Sequence, residues 1–190
     1  MSTSTKINNK FLYFAYGSNL LAARIRISNP SAEFVDIGRL ENYRLDFMGY
    51  SKVWDGSPAT IISTENSHVW GAIWELSNEH LETLDRQEGV DKGIYLGLYV
   101  NVINETGTVY RCRCYQQLKN VDDHVPLTEL PEDRRPSLTY LKTMVKGAQD
   151  CRLPANYIES LKKIKHNGHG SINIDEMNNA GLEACDITWK

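Results

Sequence analysis

Two short segments carry residue types suited to moving a proton and binding an oxyanion. The first, Tyr16-Gly17-Ser18-Asn19-Leu20, closes an apolar aromatic run and opens a stretch of good helix formers. Such a turn leaves backbone N–H groups unpaired at the positive end of a helix, where a carboxylate, a phosphate or a developing oxyanion can bind. On residue types alone an ordinary strand-to-helix turn is the favoured reading. Nucleotide binding is demoted, because the turn lacks the terminal Lys-Ser/Thr of a phosphate loop and the second glycine of a dinucleotide fingerprint. The second segment, Asp85-Arg86-Gln87-Glu88-Gly89, sets two carboxylates three residues apart on roughly one face at the end of a short helix. The helix dipole opposes negative charge there and raises its affinity for a proton, so either carboxylate can act as a base. A solvated glutamate beside Arg86 is the favoured alternative when nothing else is known.

Other chemistries fare worse. Cys112 and Cys114 share a strand face, but no second ligand pair follows at zinc-site spacing, and the four cysteines, with Cys151 and Cys185, read as thiols. Asp122-Asp123-His124 and the run from His166 to Gly170 lie in polar, loop-like sequence and receive no metal or catalytic role. No Gly-x-Ser-x-Gly nucleophile elbow occurs. Asn104-Glu105-Thr106 matches a glycosylation sequon, yet it sits between two strand-like runs and reads as a turn.

The elements that must position these residues follow from periodicity. The strand over 11–16 is apolar on both faces, and a helix should follow it, capped by Ser18 or Asn19 and ending near Asn29-Pro30. Short strands are expected over 34–40, 43–47, 59–63 and 69–76. Ser77 caps a short helix over 78–87 that Gly89 ends, with Leu81 and Leu84 facing the core. Residues 95–103, with Leu96, Leu98, Val100 and Val102 on one face, pair with 108–115 as a hairpin. After a polar loop over 116–135 come two helices, 136–148 and 154–164.

The order describes an α+β chain with a mixed or antiparallel barrel-like sheet. At 190 residues with 41% hydrophobic and 24% charged residues, one domain over 11–165 is expected, with a polar extension over 1–10 and a peripheral or partly disordered tail over 166–190. A net charge of -3 argues against nucleic acid as a partner, and no signal segment or run of about 20 apolar residues appears, so a cytoplasmic protein away from membranes is expected.

Taken with the text around them, the two segments resemble the γ-glutamylcyclotransferase family. The ordered matches are Phe11-Leu12-Tyr13-Phe14-Ala15-Tyr16-Gly17-Ser18-Asn19-Leu20, Asn29-Pro30-Ser31-Ala32, Leu45-Asp46-Phe47, Ala59-Thr60-Ile61, Val69-Trp70-Gly71, Leu84-Asp85-Arg86-Gln87-Glu88-Gly89-Val90, Gly93-Ile94-Tyr95 and Pro136-Ser137 with Tyr140. The resemblance implies a small mixed β-barrel with flanking helices, often a homodimer. It also implies conversion of γ-glutamyl amino acids to 5-oxoproline without cofactor or metal. Glu88 falls on the family's catalytic glutamate, which implies that it serves as general acid and base. Tyr16, Gly17, Ser18, Asn19 and Leu20 fall on its substrate loop, and Tyr95 and Tyr140 on tyrosines near the pocket, core packing being the alternative for both. Gly17 is expected to need a positive φ and room beside the ligand. The other readings are a relative acting on γ-glutamylamines or glutathione, and a γ-glutamyl ligand-binding module without turnover.

Overall fold

The structure, a computed structural model, describes residues 9–120 and 123–170. Five strands, β1 (Lys10–Ala15), β2 (Glu33–Phe47), β3 (Ala59–Ser77), β4 (Tyr95–Ile103) and β5 (Val109–Gln117), close into a barrel in the order β1-β3-β2-β4-β5. Four of the pairings are antiparallel, and β5 returns beside β1 in parallel with Tyr13 opposite Arg113. The seams of β2 with β4 and of β1 with β5 are single pairings, and the parallel one makes the barrel mixed. Four helices flank it: α1 (Ala22–Ser28), α2 (Leu81–Gln87), α3 (Leu138–Asp150) and α4 (Ala155–Lys162). The core is continuous from the barrel to these helices, with Phe14, Phe47, Ile61, Ile73, Trp74, Leu84, Leu130 and Met144 all inaccessible or nearly so.

The four short strands expected before residue 77 are two long ones. Asn42 takes a positive φ of 59° at a register shift that lets β2 continue against β3 through a bulge. The middle of β3 hides because Ser63, Glu65, Asn66 and His68 are all exposed, so this part of the strand has no apolar alternation to show. The hairpin of β4 and β5 pairs as expected, but Leu96 is 49% exposed while Tyr95 turns inward, so the apolar face begins only toward Val100 and Val102. Its turn is organised by Asn104, whose Oδ1 accepts from the N–H groups of Thr106 and Thr108.

Other local expectations shift in ways that matter for the site. Leu21, not Ser18 or Asn19, is the residue at the cap of α1, and no side chain bonds there. Ser77 likewise makes no capping bond, and a 3-10 turn (Asn78–His80) precedes α2. α3 begins at Leu138, and its cap is Ser137, whose Oγ accepts from the Tyr140 N–H at 3.1 Å. Within the loop over 116–135, Arg134 is buried and clamps Asp46 of β2. Residues just past 165 join the fold, since the His169 carbonyl accepts from Leu138 N–H at 2.8 Å and Asn167 bonds the Asp55 carbonyl. Of the expected extension over 1–10 and tail over 166–190, residues 1–8 and 171–190, with Cys185, lie outside the described residues.

Candidate active site

The end of β1 runs directly into the loop of interest. Leu20 N–H and Leu21 N–H bond back to the Gly17 and Ser18 carbonyls at 3.1 Å, forming a 3-10 turn over Ser18–Leu20. Among the described residues the Gly17 and Asn19 N–H groups have no partner, whereas Ser18 faces the Tyr140 hydroxyl. Gly17 has φ -107°, so the expected positive φ is corrected: glycine is needed here because a Cβ would stand 2.8 Å from the Tyr140 oxygen. Leu20 is fully buried and has no part of its side chain open to a ligand. α3 supports it from outside, where a Cβ on Gly147 would meet the Leu20 carbonyl carbon and Leu21 nitrogen at 2.5 Å.

Glu88 stands at the C-terminal cap of α2. Gly89, at φ +64°, reverses the chain there; its N–H bonds the Arg86 carbonyl and Val90 N–H bonds the Asp85 carbonyl, each at 3.0 Å. This reversal turns Glu88 toward the loop, and Asn19 Nδ2 lies 3.3 Å from its Oε1 and 3.1 Å from the Tyr13 hydroxyl. Burial pushes the Glu88 carboxyl from its ordinary value up to about 7, with Arg24 pulling it down and Asp85 adding to the rise. Desolvation is the largest cause of the shift. Glu88 nevertheless keeps some accessible surface, as a proton donor and acceptor for a ligand must. Asp85 is no rival base. Its Oδ1 accepts from Arg113 at 2.8 Å and from the Tyr115 hydroxyl, which tie the helix to β5.

Three tyrosines meet the site differently. The Tyr140 oxygen accepts from Ala59 N–H at 3.1 Å and also meets the Ser18 backbone and side chain, and burial holds the phenol protonated by pushing it up to about 12. Its ring rests edge-on against Trp54, with centroids 4.7 Å apart. Tyr95 instead donates to the Ala59 carbonyl at 2.8 Å and accepts from Gln117 Nε2 at 3.2 Å. Tyr16 donates to the Tyr115 carbonyl at 2.6 Å, stitching the ends of β1 and β5. Both are thereby engaged with the barrel.

Sequence reasoning missed Arg24, Asn29 and Gln87. Arg24 is 4% exposed, lies over the Trp54 ring, and its Nε has no hydrogen-bond partner. Its Coulombic partners are Glu88, Tyr140 and Tyr13, so it is the buried cation of the site. The signal was present as a charge beside Ile25, within the apolar stripe that Leu20, Leu21 and Ile25 define. Asn29 and Gln87, both buried, meet each other at 3.0 Å, and Gln87 reaches Asn19 at 3.4 Å.

A cavity of about 620 Å³ opens elsewhere, between Met48, Ser57, Lys119, Arg134 and His169, and neither the loop nor Glu88 lines it. Among the described residues, the carboxyl pushed up to about 7 is at Glu88, beside the Asn19 side chain of the loop. The described cysteines are free, and burial pushes the Cys112 thiol up to about 12 and the Cys151 thiol up to about 11. They are poor nucleophiles. Among the described residues no cluster of three His, Cys, Asp or Glu side chains could hold a metal, and no helix is long and apolar enough to cross a membrane.

Residues 68–161 match the AIG2-like family. The chain is similar to a γ-glutamylcyclotransferase of Bos taurus, 39% identical over 84% of this chain and 81% of the relative. It has the same identity and coverage with a γ-glutamylcyclotransferase of Homo sapiens. A solved structure titled γ-glutamyl cyclotransferase superposes with a TM-score of 0.77 at 36% identity, covering 90% of this chain and 98% of the other.

Proposed function

The chain belongs to the γ-glutamylcyclotransferase family, and from that premise we propose that it converts γ-glutamyl amino acids into 5-oxoproline and a free amino acid. The observation that carries the mechanism is a half-buried Glu88, pushed up to about 7, facing a loop with unpaired N–H groups. The substrate's α-amine is an ammonium at neutral pH and cannot attack until it loses a proton. Ionised Glu88 takes that proton, and the amine nitrogen bonds to the γ-carbonyl carbon of the same molecule. Because nucleophile and electrophile share one chain, holding the folded conformer gives the large proximity advantage of an intramolecular reaction.

The negative charge that develops on the carbonyl oxygen is met by preorganised donors, for which the Gly17 and Asn19 N–H groups and the Tyr140 hydroxyl are placed. The tetrahedral centre collapses as the bond to the departing nitrogen breaks and protonated Glu88 gives its proton to that nitrogen; Glu88, ionised again, takes the second proton from the ring nitrogen and passes it to the departed amine, leaving a neutral lactam and an ammonium product. One carboxyl thus serves as base and then as acid, which a value near neutrality suits. No water is consumed and no electrons change hands. Arg24 offers a buried positive charge to the carboxylate-bearing substrate and keeps Glu88 from rising further. A cytoplasmic homodimer completes this reading, with the exposed Phe34, Val35, Tyr99 and Val109 as apolar surface for a second copy.

The test is incubation of the purified protein with γ-glutamylalanine, following 5-oxoproline by mass spectrometry beside Glu88→Gln and a glutathione arm. Product from the wild type alone is expected. Equal product from Glu88→Gln would remove the base assignment, and product only from glutathione would change the substrate.

A further inference from the structure

The amide that Asn19 turns toward Glu88 has two faces, and only one suits a carboxylate. Its NH2 group attracts the ionised form, whereas its oxygen at the same 3.3 Å would repel it. Which face points inward is decided by the other hydrogen bonds the amide makes.

Three buried amides in series make that decision. Asn29, fully buried just after α1, places Nδ2 3.3 Å from the Ile25 carbonyl, which can only accept. The same nitrogen reaches Gln87 Oε1 at 3.0 Å, so Gln87 Nε2 is the atom left to meet Asn19 Oδ1 at 3.4 Å. With its oxygen engaged, Asn19 presents nitrogen to Tyr13 and Glu88. The Ile25 carbonyl of α1 thereby anchors the head of this series in one polarity. Asn29 leaves its own Oδ1 buried without a partner, a cost that flipping would not relieve, because the oxygen would then face the Ile25 carbonyl.

We infer that Gln87 and Asn29 are positioning residues, which hold the Asn19 amide in the single orientation that donates to Glu88 and so favour its ionised form. This rests on the reading of Glu88 as the base. Glu88 is also faced by Arg24 of α1, Asp85 of α2, Tyr13 of β1, Tyr16 beyond it, Cys114 and Tyr115 of β5 and Tyr140 of α3. Burial raises the phenols and the thiol, which stay neutral near pH 7, so the charged neighbours are Arg24 and Asp85, of opposite sign.

The test is Gln87→Met in the full chain, since methionine matches glutamine in length but neither donates nor accepts here. The Glu88 carboxyl, titrated by carbon NMR in the ligand-free protein, is expected to move its midpoint from about 7 to about 8. Turnover at pH 7 should then fall about fivefold, with KM changed less than about twofold and the loss recovered above about pH 9. Asn29→Ala should shift the midpoint in the same direction by less, and it carries the test if Gln87→Met does not fold. An unmoved midpoint in a folded variant overturns the relay, whatever happens to its melting temperature. Because the titration needs no substrate, it decides the relay even if no γ-glutamyl donor is turned over, and turnover with an unmoved midpoint leaves the activity standing without it.

Discussion

Asp46 and Glu88 are both carboxylates set into protein, and they are treated in opposite ways. Asp46, 1% exposed, accepts from Arg134 at 2.6 and 2.7 Å, from Arg44 Nε at 3.3 Å and from its neighbour Phe47 N–H at 2.8 Å. Those four bonds use the four lone-pair sites a carboxylate has. Glu88 has one donor among the described residues, the Asn19 amide at 3.3 Å, and a nearby cation with no bond to it. A saturated carboxylate joins β2 to the loop before α3 and offers nothing to a ligand. An under-solvated one hovers between its two protonation states and is available for chemistry.

The sharpest break in that contrast is Glu88→Gln, which should lower turnover by about 10²- to 10⁴-fold while the fold is retained. The folded Glu88 value of about 7 lies above its ordinary value of about 4.3, so the folded protein holds the proton more tightly and loses stability as pH rises between the two. Discounted for the solvent contact Glu88 keeps, the cost above pH 7 is about 2 kcal/mol. Glu88→Gln should therefore melt above the wild type at pH 8 and level with it near pH 4, by calorimetry. A lower melting temperature at pH 8 would argue that Glu88 is stabilised where it stands.

Arg134→Met should give the converse. Leaving Asp46 buried without its main partner is expected to cost about 3–5 kcal/mol by urea denaturation, with kcat/KM per folded molecule unchanged. Arg24→Met should move the acid limb of the pH–rate profile above 7, because the charge that pulls the Glu88 value down is gone. A limb that stays or falls would show that Arg24 does not act on the base. The smallest effects separate two tyrosines: Tyr140→Phe should lower kcat about tenfold through one donor lost to the developing oxyanion, whereas Tyr95→Phe should cost about 1 kcal/mol of stability and leave kcat unchanged. Equal kcat changes would mean that both phenols reach the reacting carbonyl.

Much of the barrel was legible because its strands alternate or run apolar, as over Phe11 to Ala15 and in the hairpin of β4 and β5. The joins within β2 and β3 were not, since a bulge at Asn42 and an exposed middle of β3 carry no periodic signal. The same division runs through the site. Glu88 and Asn19 lie in dense local motifs and stood out, but the reason for Gly17, the pressure of the Tyr140 hydroxyl, comes from a helix more than a hundred residues along the chain.

The sequence by itself determined two pieces of local geometry, a glycine-bearing turn after a buried strand and a carboxylate at a glycine-ended helix, while residue types alone favoured an ordinary turn and a solvated glutamate and only the family resemblance singled them out. Local rules suffice there, because turn geometry and helix termination depend on a few adjacent residues. The tertiary structure alone decided what those groups can do. Proton affinity and amide orientation are set by burial and by partners distant in sequence, and only closure of the barrel brings Asn29, Gln87, Asn19, Arg24 and Glu88 to one place.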